Sequence, residues 1–115
     1  MTDPRSRRKL AAILSADVVG YSRLMGQDEP TTVETLKDYR AAIQSLVTAH
    51  QGRVVNAPGD ALLAEFPSAV EAVRCASEIQ QEVESRNADV PQDRQMRFRI
   101  GVNLGDVIEE TDGTL

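Results

Sequence analysis

Two carboxylates stand where an apolar chain has least use for them. Asp17 lies near the end of the apolar stretch Leu10–Val19, just before Gly20, and Asp60 follows Pro58-Gly59 at the head of Ala61–Phe66. Burying a carboxylate beside Ile and Val is costly unless something compensates it. Two such residues at the ends of neighbouring strands would share a cation, so the fold has to bring those strand ends together. The pair outlines a two-metal site for phosphoryl transfer.

The chain has 115 residues, enough for one domain with a single core and too few for two. Its net charge of -5 argues against a nucleic-acid binder held by phosphate neutralisation. The basic run Arg5–Lys9 reads as a solvated leader, residues 1–9, ahead of a domain at 10–115. Cys75 is the only cysteine, so no intrachain disulfide forms, and its helical surroundings predict a small buried hydrophobe. No apolar stretch reaches the length of a membrane span and no signal-type segment follows the N-terminus, which places the chain in the cytoplasm.

Leu10–Val19 reads as a strand buried on both faces, broken only by Ser15 and Asp17. A helical turn at Arg23–Met25 and a polar break at Gly26–Pro30 follow. A capping box at Thr31 and Glu34 then predicts a helix, with Val33, Leu36, Tyr39 or Arg40, Ile43, Leu46 and Val47 on its apolar side and Gly52 at its end. Arg53–Ala57 and Ala61–Phe66 form a hairpin with Asp60 at its bend. Ser68 and Glu71 repeat the capping spacing, opening a helix with a stripe of Val70, Val73, Ala76, Ile79 and Val83 that ends at Asn87–Asp93. Met96, Phe98, Ile100, Val102 and Leu104 alternate with polar or small residues as a strand, and Val107-Ile108 starts another before a turn at Glu109–Gly113. The order is the split βαβ pattern of an α+β, ferredoxin-like antiparallel sheet with helices on one face.

In that topology the first strand neighbours the central hairpin, so Asp17 meets Asp60. Two adjacent carboxylates cannot both ionise cheaply without a cation between them, and Mg²⁺ or Mn²⁺ with a nucleotide's phosphates would complete the shell.

Here the residues resemble a known family, the class III adenylate and guanylate cyclases of the bacterial branch. Ala12–Met25 is similar to its first metal motif, Gly59–Phe66 to its second, and Phe98–Ile108 to the strand pair beyond. The resemblance runs from about Lys9 to the C-terminus. It implies that Asp17 and Asp60, with the carbonyl of Val18, hold two ions. It also implies that Val19, Gly20, Tyr21 and Ser22 receive the β and γ phosphates of ATP, in preference to GTP, for conversion to cyclic AMP. Gly20 by itself serves turn geometry equally well.

Asn56 stands where adenylate-specific members carry a base-reading Lys, and Ala61 replaces the glycine after the second aspartate. The family's transition-state Asn and Arg come from a helix beyond Gly113, before which this chain stops, with Thr114 near a second base-reading position. The resemblance therefore implies a head-to-tail homodimer in the complete domain, and weak or absent turnover from these residues alone.

Other polar residues read more plainly. His50 is a surface or helix-capping residue rather than a general base, and Asp106 forms a turn rather than binding metal. Arg97 and Arg99 belong to a solvated face ahead of a dimer surface, and Glu65 pairs locally. Two rival functions remain: a non-catalytic cyclase-like module that binds nucleotide or only dimerises, and a palm-like diguanylate cyclase or polymerase domain, whose motifs fit poorly.

Overall fold

The apolar run that opens the chain becomes the middle of a sheet. In the computed structural model, which describes residues 6–110, β1 (Ser6–Val18) lies between β3 (Leu62–Phe66) and β4 (Phe98–Glu110). The edge strand β2 (Arg53–Asn56) pairs with β3, giving the antiparallel order β2-β3-β1-β4. Helices α1 (Tyr21–Gln27), α2 (Glu29–Ala49) and α3 (Ala69–Asn87) and a 3-10 turn at Gln92–Arg94 fill the connections. The fold is the expected α+β split βαβ arrangement.

Alternation along β1 decides which face the helices cover. Ala12, Leu14, Ala16 and Val18 are buried with Phe66, Ile43, Ile79, Val47 and Leu24 in one core. Ile13 and Asp17 on the other face are half-buried and Ser15 is exposed. The helices thus cover one face of the strand, and on the other only Ala11 is fully buried among the described residues from Ala11 to Asp17. The strand also starts at Ser6 rather than Leu10, taking in most of the basic stretch that reads as a leader.

Several boundaries move for local reasons. Helix α2 begins at Glu29, capped by Asp28 rather than by Thr31: the Asp28 carboxylate accepts from the Thr31 backbone N–H at 3.2 Å and from its hydroxyl at 2.8 Å. These bonds pull the Asp28 carboxyl below its usual pKa. Helix α1 is a full Tyr21–Gln27, longer than the single turn expected, and the Thr32 hydroxyl joins the helices by donating to the Leu24 carbonyl at 2.9 Å. At the other end of α2, Gly52 N–H donates to Val47 carbonyl at 2.8 Å and Gln51 N–H to Thr48 carbonyl at 3.0 Å, a Schellman closure. The left-handed residue in it is Gln51 (φ 65°), not the glycine. Gly52 serves close packing instead, since a Cβ there would lie 2.5 Å from Cε2 of Phe66.

Ser68 caps helix α3 as its capping pattern predicts, the hydroxyl accepting from Glu71 N–H at 3.3 Å. Its buried stripe is Ala72, Cys75, Ile79, Val83 and Asn87, while Val70 and Val73 are exposed. Small Ala72 and Cys75 let the first half of the helix approach the sheet closely, which turns the valines to the flank. Burial pushes the Cys75 thiol up to about 11, so it stays protonated.

Strand β4 differs most from expectation. It is one strand, paired in unbroken register with β1 from Val18↔Phe98 to Ser6↔Glu110. Asp106 sits inside it opposite Leu10 and forms no turn. The turn expected at Glu109–Gly113 does not begin at Glu109, and Thr111–Leu115, with Thr114, lie outside the described residues.

His50 caps α2, its N–H donating to the Leu46 carbonyl at 3.1 Å, and its ring bridges to α3. Nε2 meets Glu78, and Nδ1 meets Glu71 Oε2 at 3.3 Å, with Arg74 on the far side of Glu71. The Glu78 hydrogen bond raises the His50 pKa, burial opposes it, and Glu71 adds to the rise. A folded-state pKa above the unfolded value of about 6.5 gives stabilisation that is complete below that value and fades as pH rises through the folded one. The melting-temperature gap between wild type and His50→Gln is therefore expected to be largest near pH 6 and to shrink on the alkaline side. A gap that does not change with pH would leave the bridge without a charged component.

Candidate active site

The β1–β3 ladder pairs Ala12 with Phe66 through to Ala16 with Leu62. Carried two residues further, that register sets Val18 opposite Asp60, and there a side chain takes over from the backbone. The Val18 N–H donates to Asp60 Oδ2 at 3.0 Å. In an antiparallel strand a residue's N–H and C=O point to the same neighbour, so the Val18 carbonyl faces the same edge as the Asp60 carboxylate. Asp17 and Asp60 thus come from adjacent strand ends, as expected.

Asp17 lies on the open face of the sheet, and across the ladder Arg99 Nε donates to its Oδ1 at 3.0 Å. The pair is exposed, with side-chain accessibilities of 74% for Arg99 and 42% for Asp17, so it contributes no more than about 1 kcal/mol. Its effect is directional, turning one oxygen of Asp17 toward β4. Arg97 instead donates to Gln95 Oε1 at 2.6 Å, so the two arginines diverge in role. Glu65 pairs locally as expected, with Arg53 at 2.6 Å.

Beyond β1 the chain turns through Val19 and Gly20, whose φ of 66° is left-handed and favours glycine. Gly20 caps α1 without a side-chain bond, and no acidic residue occupies the helix's first turn. Arg23 Nη1 donating to the Asp93 carbonyl at 3.0 Å, and Arg94 Nη1 to Gln27 Oε1 at 2.9 Å, moor α1 to the segment before β4. Asn56 closes β2 beside a bulge, where its Oδ1 accepts from Ala57 N–H at 2.9 Å and its amide N–H₂ has no acceptor among the described residues.

Arg40 of α2, which the sequence places only as an alternative to Tyr39 on the apolar stripe, holds the turn that carries Asp60. Its Nη2 donates to the carbonyls of Gly59 and, at 2.8 Å, Ala61, the two residues flanking Asp60. The available signal was its place on the apolar stripe of α2 between Leu36 and Ile43, where an arginine needs a partner.

Two carboxylates and a carbonyl are hard oxygen donors suited to Mg²⁺ or Mn²⁺. Among the described residues no group of three His, Cys, Asp or Glu could hold an ion by itself, so phosphate oxygens and water have to complete the shell, as is usual for Mg²⁺. The residues present fit the ions on those terms.

An antiparallel split βαβ sheet that carries paired carboxylates to one end, beside a glycine turn, has the build of a palm-like domain. Within that class the chain belongs to one family: residues 4–115 match the adenylate and guanylate cyclase catalytic domain. A Rhizobium meliloti (strain 1021) protein named "Putative adenylate cyclase 3" is 51% identical over 108 residues, which are 92% of this chain and 18% of that protein. An adenylate/guanylate cyclase/hydrolase crystal structure from Silicibacter pomeroyi is 42% identical with a TM-score of 0.82, covering 91% of this chain and 62% of that one. The guanylyl cyclase Cya2 is 26% identical with a TM-score of 0.78, covering 90% and 57%. The chain therefore spans less than two thirds of each. Among the described residues no helix is long and apolar enough to cross a membrane.

Proposed function

We propose that this chain supplies the metal-binding half of a cytoplasmic adenylate cyclase that forms cyclic AMP from ATP. The observation that carries the reading is the Val18–Asp60 bond at 3.0 Å, which joins the two acidic strand ends at the mouth of the Gly20 turn. Asp17, Asp60 and the Val18 carbonyl would hold two Mg²⁺ or Mn²⁺ ions, which when bound lower the pKa of the ribose 3′-hydroxyl and neutralise the triphosphate. The turn Val19-Gly20-Tyr21-Ser22 would receive the β and γ phosphates. Asn56, with its oxygen committed to Ala57, offers adenine a donor, the same kind of group as the lysine it replaces.

The complete domain would act as a head-to-tail homodimer, each active site drawing transition-state groups from residues beyond these. Assaying ATP and GTP with Mn²⁺ on the complete domain carrying these residues tests the reading. Cyclic AMP is expected well ahead of cyclic GMP, and no cyclic nucleotide from a dimeric domain would count heavily against it.

The Arg99–Asp17 bond favours a second reading, in which a cation from the protein stands in for a metal and the domain only binds nucleotide or dimerises. Calorimetry separates the two: such a module binds ATP without releasing pyrophosphate, or does not bind it.

A further inference from the structure

The turn that carries Asp60 belongs to no ladder. Strand β2 ends at Asn56 and β3 begins at Leu62, and Gly59 between them adopts a left-handed φ of 58°. Inside the turn, Ala61 N–H donates to the Pro58 carbonyl at 2.9 Å. Among the described residues, the hydrogen bonds tying it to other elements are the Val18–Asp60 bond and the two from Arg40.

We propose that Arg40 is the positioning residue of Asp60. One guanidinium nitrogen with two hydrogens grips the carbonyls on either side of the aspartate, so the backbone of Asp60 is anchored to α2 while its side chain is held by Val18. Helix α2 is a rigid support of 21 residues, packed through Leu36, Tyr39, Ile43 and Val47. A carboxylate carried on a two-sided anchor loses little freedom when it takes up a cation, whereas one on a loose turn pays ordering entropy at that moment. The buried Nε of Arg40 has no partner among the described residues, a cost the two carbonyl bonds offset. Lys lacks the planar fork, so Arg40→Lys is not a neutral exchange here.

The inference rests on reading Asp60 as a metal ligand, and the test keeps the two apart. Mn²⁺ affinity of the metal-free protein is measured by electron paramagnetic resonance for wild type, Arg40→Met, Arg40→Lys and Asp60→Asn, with amide exchange followed at Gly59–Leu62 and along α3. Arg40→Met should weaken Mn²⁺ by about tenfold, in line with other residues that orient metal ligands. Exchange should accelerate in the turn and not in α3, and Arg40→Lys should regain part of the loss. In the complete domain carrying these residues, excess Mn²⁺ should restore turnover in Arg40→Met but not in Asp60→Asn. If Arg40→Met binds Mn²⁺ within twofold of wild type while Asp60→Asn does not, the proposal is wrong and the cyclase reading stands. If Asp60→Asn also binds normally, both fall. Should Arg40→Met not fold, Arg40→Lys carries the same comparison, and exchange that rises equally everywhere would reduce Arg40 to a general brace.

Discussion

Replacing Asp60 with Asn should leave the protein folded and almost silent. The amide oxygen of Asn can still accept from the Val18 N–H, which Asp60 does at 3.0 Å, so the β1–β3 edge keeps its last hydrogen bond. What disappears is the negative charge, and with it a ligand for a hard divalent ion. In the complete domain carrying these residues, turnover should fall by about 10²–10³-fold, the scale of removing one preorganised electrostatic contribution, with the melting temperature nearly unchanged. Asp17→Asn should do the same to activity, but it also weakens the Arg99 contact, an exposed pair of small energetic weight. Cyclic AMP formation and Mn²⁺ binding on one set of purified variants provide the check. A variant of Asp60 that folds and turns over at the wild-type rate would remove this residue from the chemistry.

The largest stability effect should come from a residue far from that chemistry. Asn87 is buried at the end of α3, where its Oδ1 accepts from the Tyr39 hydroxyl at 2.7 Å and from the Met96 N–H at 3.4 Å. Its Nδ2 donates to the Met96 carbonyl at 2.9 Å. One side chain thus fastens α3 to α2 and to the segment entering β4. Burial raises the Tyr39 pKa, so the hydroxyl remains a donor throughout the working range. Asn87→Leu fits the volume but leaves a hydroxyl, an amide and a carbonyl without partners. Each orphan costs about 1–3 kcal/mol, and because they share one site the sum is less than additive. A loss of about 2–4 kcal/mol is expected, read as a lower urea midpoint at constant slope. Adding Tyr39→Phe should recover part of it, since the orphaned hydroxyl is then gone. A loss below about 1 kcal/mol would mean that water replaces Asn87.

Asn87 also shows what the sequence could not disclose. By itself it reads as a helix breaker, since asparagine commonly ends helices, and its buried network depends on Tyr39 arriving 48 residues away in the chain. The strand and helix order was legible because each element carries its own periodicity and caps, as at Ser68. The adjacency of the strand ends that carry Asp17 and Asp60 followed from topology alone. The phase of α3 was not legible, because Val70 and Val73 outrank Ala72 and Cys75 in hydrophobicity while the smaller pair allows closer packing. The continuity of β4 was hidden as well. Glycines and an aspartate suggest a break locally, whereas an uninterrupted partner in β1 supplies the hydrogen bonds that hold them straight. The role of Arg40 was not legible either, because a positive charge on an apolar stripe gives no hint of which carbonyls it will reach.

The central place of β1 has a consequence for how the protein comes into being. β1 is synthesised before its neighbours β3 and β4, and the residues paired with Val18 and Ser6 on β4 are Phe98 and Glu110. At roughly 5–20 residues per second on the ribosome, β1 waits several seconds for the partners that cover its two edges. Until then its apolar residues and unpaired backbone are open to other chains. The strand end that carries Asp17 is therefore made well before the strands that secure it, so translation rate and chaperone access should govern the yield of folded protein as strongly as its final stability does.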